Sequence, residues 1–192
     1  MKKLLVTGFE PFGGAEINPS WEAVRRLPDK IGDFLLYKLK IPTVFGQAAE
    51  AILSVAKDFT PDVVLCIGQA GGRSAITPER IAVNICDARI SDNAGNQPNG
   101  EHVVPNGPAS YFSTLSPEVM CDAILAVGID ATVSNSAGAF VCNDTLYRLL
   151  HHYTNTPVKV GFIHIPYLPE QGTPSLSLWD AVAALTAAIR AI

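Results

Sequence analysis

The sequence predicts an α/β domain, with helices on both faces of a largely parallel sheet. Two observations carry that expectation. Segments of strand character alternate along the chain with segments of helical spacing. Residues 63–67, Val-Val-Leu-Cys-Ile, are apolar throughout and bounded by Pro61-Asp62 and Gly68, as a central parallel strand covered on both faces requires. No repeat, low-complexity tract or linker breaks the 192 residues, so a single domain over residues 1–192 is expected.

The elements follow in order. Residues 3–7 form an opening strand that ends in the loop Gly8-Phe9-Glu10-Pro11-Phe12-Gly13-Gly14. Asn18 and Pro19 then start a helix: the amide accepts from first-turn N–H groups, and proline suits the first helical position. That helix runs to about Leu27, where Pro28 follows. Residues 34–41 alternate as a second strand, and residues 47–57 place Ala48, Ile52, Val55 and Ala56 at helical spacing. Residues 81–90 read as extended, and residues 92–108, rich in Asn, Gly and Pro, as a long loop. A helix over 117–127, a short strand over 131–134, a helix over 142–152, a strand over 158–165 and an Ala-rich helix over 176–192 complete the pattern.

Composition narrows the function. With 48% hydrophobic and 17% charged residues the chain is not disordered. The net charge is −4, from 14 basic and 18 acidic residues with no basic run, so neither nucleic acid nor an anionic membrane is an expected partner. The apolar start at Leu4-Leu5-Val6 meets Glu10 and Pro11 too early for a signal peptide. No stretch approaches the ~18 apolar residues of a membrane span. A cytoplasmic protein is expected. Cys66, Cys86, Cys121 and Cys142 lie far apart without a C-x-x-C pair, which fits free thiols better than a disulfide framework or a zinc site.

In open α/β sheets ligands gather beyond the carboxyl ends of strands. Three such loops carry unusual residues: the Phe9–Phe12 region, Gly68-Gln69-Ala70-Gly71-Gly72-Arg73, and Ser134 through Asn143. The last leads into a helix whose first turn holds Cys142, where free N–H groups and the helix dipole favour a thiolate and could receive an oxyanion. Position alone leaves Cys142 open between a nucleophile and an inert buried cysteine, as Cys66 is taken to be. His164, near the end of the strand that follows the Cys142 helix, is the histidine best placed as a base, although a strand histidine is commonly structural. His102 is a weaker rival, and His151 and His152 suit a helix C-terminus. Glu79 stands near the glycine-rich loop, either as the group that orients the imidazole or as half of an ion pair with a nearby arginine. The glycine loop matches neither nucleotide-binding pattern.

Taken together, six segments resemble the type I pyroglutamyl peptidases, the pyrrolidone carboxyl peptidases. They are Val6-Thr7-Gly8-Phe9-Glu10-Pro11-Phe12, Gly68 to Arg73, Ile76-Thr77-Pro78-Glu79-Arg80-Ile81-Ala82-Val83-Asn84, Asp87-Ala88-Arg89-Ile90, Ser134-x-x-Ala137-Gly138-x-Phe140-Val141-Cys142-Asn143, and Phe162-Ile163-His164-Ile165-Pro166. The resemblance runs from end to end in the same order. It implies a three-layer α/β/α sandwich around a mostly parallel twisted sheet and a Glu79-Cys142-His164 triad. It further implies no metal or other cofactor and a homotetramer acting on peptides with an N-terminal pyroglutamate. Phe9 and Phe12 match aromatic residues around the pyroglutamyl ring, Gln69 and Arg89 match positions near the lactam and the oxyanion, and Phe140 and Val141 match pocket-lining residues. Departures fall at Ser91, where proline is usual, at Cys86, where an acid is expected, and at Thr114-Leu115-Ser116-Pro117, in place of a tighter turn.

Pyroglutamate is a flat, neutral lactam, so its receptor should be apolar with a few placed hydrogen bonds. Two other readings remain at this point: a nucleoside phosphorylase-like enzyme on a similar scaffold, and a non-catalytic protein that keeps the pocket.

Overall fold

Side-chain alternation along the central strands divides the core into two layers. The computed structural model describes residues 1–192. In chain order its elements are β1 (Lys2–Phe9), α1 (Pro19–Val24), β2 (Lys30–Ile31), β3 (Phe34–Ile41), α2 (Gln47–Phe59), β4 (Val63–Gln69), β5 (Thr77–Pro78) and β6 (Ile81–Val83). There follow β7 (Cys86–Asp87), β8 (Asn99–Glu101), β9 (Ser110–Phe112), α3 (Pro117–Ala126), α4 (Val141–His152), β10 (Lys159–Ile165) and α5 (Leu178–Ala191).

Six strands form the main sheet in the order β2-β3-β1-β4-β10-β5. The inner four are parallel, and the short edge strands β2 and β5 are antiparallel to their neighbours. Leu4, Val6, Val63, Leu65, Ile67, Ile163 and Ile165 point to one face, where they pack with α1, α3 and α5. Leu5, Phe9, Val64, Cys66, Val160 and Phe162 point to the other and pack with α2 and α4. The period-two alternation thus produces the expected α/β/α layering.

Helix starts follow the sequence signals. Asn18 Oδ1 accepts from Ser20 N at 3.1 Å with Pro19 at the first helical position. Ser116 and Ser177 cap α3 and α5 in the same way, so the Ser116-Pro117 departure is a helix cap. Beyond Val24 the chain tightens into turns, with Arg26 N bonded to Ala23 O and Leu27 N to Val24 O, rather than continuing as α-helix.

Three expectations are corrected. Residues 81–90 are not one extended segment but β6 and β7, separated at Asn84, whose side-chain amide binds the Val104 backbone on both sides. The 92–108 loop contains β8, which pairs with β7. Residues 131–134 form only isolated bridges, Ala131 to Ile76 and Ser134 to Glu79.

The chain moves from β1 to β3 on one side, then returns through α2 to β4 on the other. Connections leaving the carboxyl ends of β1 and β4 therefore diverge, and a crevice opens at this switch point.

Candidate active site

A cavity of about 230 Å³ occupies that crevice, lined by Phe9 and Phe12, Gln69 to Gly71, Arg73, Phe140, Cys142 and His164, with Asn18, Thr43, Ala137 and Gly138. Strand parity puts His164 on the face of Val160 and Phe162, which is also the face that α4 covers. The imidazole is 4% exposed, and its Nδ1 lies 2.7 Å from Oε1 of the fully buried Glu79. Glu79 is fixed by its own backbone, since Glu79 N donates to Phe162 O at 2.9 Å.

Arg73 approaches the same carboxylate oxygen. Its Nη1 donates to Glu79 Oε1 at 2.7 Å and to Thr77 Oγ1 at 2.5 Å, while Nη2 donates to Ser136 O at 2.9 Å. The two readings of Glu79, orienting group and ion-pair partner, are therefore both realised, on one oxygen. Burial pushes the Glu79 carboxyl up, but the His164 hydrogen bond and charge, the Ser134 hydroxyl and Arg73 outweigh it and hold the group below its ordinary value. An ionised Glu79 makes Nδ1 the protonated nitrogen and leaves Nε2 as the basic one. Burial also lowers the imidazole pKa, and Arg73 adds to this against the pull of Glu79, so the ring is neutral near pH 7.

Cys142 is the second residue of α4 and the only half-buried cysteine; Cys66, Cys86 and Cys121 are buried. Its sulfur sits over Gly68, where an added Cβ would lie 3.0 Å from Sγ and 2.7 Å from the Phe162 ring. His164 is paired with Gly68 in the β4–β10 register, so sulfur and imidazole both neighbour that glycine and line one cavity. The loop before α4 turns at Gly138, with φ of 79°, and no side chain caps the helix at Phe140. Its first-turn N–H groups are left for a ligand.

Burial pushes the Cys142 thiol well up, and the Glu79 carboxylate pushes the same way against Arg73. The partial charge of the helix end favours a thiolate, and burial with the nearby carboxylate opposes it. Burial raises Cys66 and Cys86 to about 12, with Asp144 adding to the effect on Cys86. That is consistent with inert structural thiols.

The aromatic residues enclose the cavity. Phe12 and Phe140 lie 5.8 Å apart, Phe45 meets Phe140 edge-on at 5.3 Å, and Phe9 contacts Phe162 at 6.2 Å. Gln69 Oε1 accepts from Gln171 Nε2 at 3.2 Å, which leaves the Gln69 NH2 group to donate. Two of the sequence-derived residues are not brought to the cavity. Val141, the first residue of α4, is fully buried in the core, and Arg89 is exposed; neither is among the cavity's lining residues. His102 faces the Asn84 carbonyl and His151 the Tyr111 hydroxyl, both outside the cavity. Arg73, which lines the cavity and binds Glu79, is the candidate site residue that the sequence did not single out, although it ends a loop already marked by its glycines.

An α/β domain that presents a thiol, a carboxylate-held imidazole and open helix N–H groups in one small aromatic cavity has the parts of a thiol hydrolase. Comparison with known proteins specifies which. The family model described as pyroglutamyl peptidase matches residues 2–192. The chain is 54% identical to the pyrrolidone-carboxylate peptidase of Levilactobacillus brevis, over 99% of this chain and 97% of that protein. It superposes on the crystal structure of Bacillus amyloliquefaciens pyroglutamyl peptidase I with a TM-score of 0.96 at 45% identity, covering 100% of this chain and 96% of that one. The pyrrolidone carboxyl peptidase from Thermococcus litoralis gives 0.95 at 37% identity, covering 100% and 93%. The chain belongs to the pyroglutamyl peptidase family of cysteine peptidases. Membership sets aside the phosphorylase-like reading.

Proposed function

We propose that this chain hydrolyses the bond after an N-terminal pyroglutamyl residue of peptides, with Cys142 as nucleophile, His164 as base and acid, and Glu79 as the group that orients His164. The observation that carries the assignment is the 2.7 Å contact between His164 Nδ1 and Glu79 Oε1, in a ring whose Nε2 side shares a cavity with Cys142.

The chemistry starts from the neutral pair. As Sγ bonds to the pyroglutamyl carbonyl carbon, the thiol proton passes to Nε2 and the carbonyl electrons move onto oxygen. First-turn N–H groups of α4 receive that oxyanion. Collapse expels the peptide amine, which takes the proton from Nε2 and leaves a thioester. Water then gives a proton to Nε2 as it attacks, and departure of pyroglutamate returns that proton to sulfur.

The cavity supports the substrate class. No acidic side chain lines it, so nothing there neutralises the ammonium of an ordinary N-terminus, whereas a neutral lactam carries none. Phe9, Phe12 and Phe140 supply apolar faces, and the Gln69 NH2 group suits a lactam carbonyl.

The wider setting is part of the proposal. Both core layers pack against one sheet that runs from β1 to β10, which supports a single peptidase domain over residues 1–192. Four unpaired cysteines suit the reducing cytoplasm, and no helix is long and apolar enough to cross a membrane. Trp179 is 76% and Phe112 66% exposed, apolar surface that assembly into a homotetramer would cover. The test is release of a chromogenic amine from a pyroglutamyl amide, with a prolyl amide as control. Cys142→Ala should abolish release; turnover by that variant would overturn the assignment.

A further inference from the structure

We propose that the Ser134 hydroxyl is a positioning group for the triad: it donates to Glu79 Oε2 and shares with Arg73 the holding of that carboxylate beneath His164. The inference rests on the assignment of Cys142, His164 and Glu79 above. It starts from an imbalance in Glu79. Oε1 receives both Arg73 and His164, whereas Oε2 is buried and has no hydrogen-bond partner. A buried carboxylate oxygen without a donor is costly, and native sites rarely leave one so.

Ser134 is the residue the backbone places beside it. Ser134 and Glu79 are partners in a parallel bridge, with Ser134 N donating to Pro78 O at 2.9 Å and Arg80 N to Ser134 O at 2.8 Å. Residues opposite one another across a bridge project to the same face, which sets the hydroxyl alongside the carboxylate. Ser134 Oγ lies 3.2 Å from Ser136 O, long for an O–H donor, and that carbonyl already accepts from Arg73. A hydroxyl turns freely about its C–O bond, and a charged acceptor binds roughly twice as strongly as a neutral one. A small adjustment of the Ser134 side chain together with rotation of its hydroxyl would direct the proton to Oε2. Of the neighbouring polar groups, Thr77 Oγ1 accepts from Arg73 and Asn135 Oδ1 accepts from Arg80, and neither residue is paired with Glu79 across the bridge as Ser134 is.

The consequence is electrostatic. When His164 takes the thiol proton, Glu79 faces an imidazolium. A donor on Oε2 spreads the carboxylate charge and keeps the ring proton on Nδ1. Without it the carboxylate holds the imidazolium more tightly, and the ring is protonated at higher pH.

Two readouts test this with Ser134→Ala and Ser134→Thr in the full chain. One is the pH profile of kcat/KM on a pyroglutamyl amide; the other is the His164 ring titration by 15N NMR in a Cys142→Ala background. Ser134→Ala should move both the acid limb and the ring midpoint upward by roughly half to one pH unit, and Ser134→Thr should restore both. An unmoved ring midpoint in Ser134→Ala, or an equal shift in both variants, overturns the proposal. The NMR titration needs no turnover, so an inactive wild-type chain would count against the peptidase assignment and leave the Ser134 test standing. Dispersed amide resonances in the same spectra report folding.

Discussion

Replacing Glu79 with glutamine separates charge from geometry at the triad. Oε1 takes both the Arg73 and the His164 hydrogen bond, at 2.7 Å each. In Glu79→Gln the amide oxygen is held at that position by Arg73, which only donates, so the Nδ1–H tautomer of His164 survives. What disappears is the negative charge. With the carboxylate and imidazolium centres about 4 Å apart, their attraction is about 4 kcal/mol at an effective dielectric of about 20. That corresponds to nearly three decades in rate at ~1.4 kcal/mol per decade. The Arg73 cation already cancels part of this field, so the expected fall in kcat/KM is roughly 10²- to 10³-fold. Glu79→Ala should fall further, because it also frees the ring and strands Arg73. The pH sign follows from the same charges. Burial and Arg73 lower the His164 pKa and Glu79 raises it, so the acid limb of the residual activity should move to lower pH. The assay is initial-rate hydrolysis of a pyroglutamyl amide across pH, alongside thermal unfolding. Near-wild-type kcat/KM, or an acid limb moved upward, would refute the reasoning.

Two other outcomes follow from the sulfur's surroundings. Because burial and Glu79 raise the Cys142 thiol pKa, iodoacetamide labelling of Cys142 should accelerate from neutral into alkaline solution, about tenfold per pH unit while the thiol predominates; a rate plateau persisting down to pH 5 would show a preformed thiolate instead. In Gly68→Ala the new methyl would sit 2.7 Å from the Phe162 ring and 3.0 Å from Cys142 Sγ, so overpacking should cost ~1–3 kcal/mol and lower Tm, with kcat falling at least roughly tenfold as Sγ is displaced; unchanged Tm and kcat would contradict the close approach.

Legibility in the sequence followed the range of the forces involved. The Val63–Ile67 run and the Asn18-Pro19 start are local patterns, and both produced the expected element. β5 escaped notice because it is two residues long and contains Pro78, which a sheet tolerates only at an edge such as this one beside β10. The 81–90 segment looked continuous because nothing local announces that Asn84 will reach across to Val104. Residue roles divide in the same way. His164 and Glu79 were visible as chemically apt residues, but the choice between an ion pair and an orienting group looked exclusive. A carboxylate oxygen has two lone pairs, and only the folded chain shows that Arg73 takes one and His164 the other. The ionisation of Cys142 divides in the same way: the helix terminus is local and favours a thiolate, whereas burial and Glu79 arrive from distant segments and oppose it.

The register of β10 is therefore the feature on which the candidate site turns. His164 shares a cavity with Cys142 because it lies in phase with Val160 and Phe162, which pack beneath α4, while Ile163 and Ile165 fill the opposite layer. A one-residue slip would carry the imidazole to the α1–α3–α5 face and bring Ile163 or Ile165 toward the sulfur. Such a slip would also place a polar ring among Ile67, Ile76 and Leu115 and remove Phe162 from its contact with Phe9. The packing that stabilises the sheet and the placement of His164 in the proposed site thus select the same register, so apolar alternation in β10 positions the proposed base.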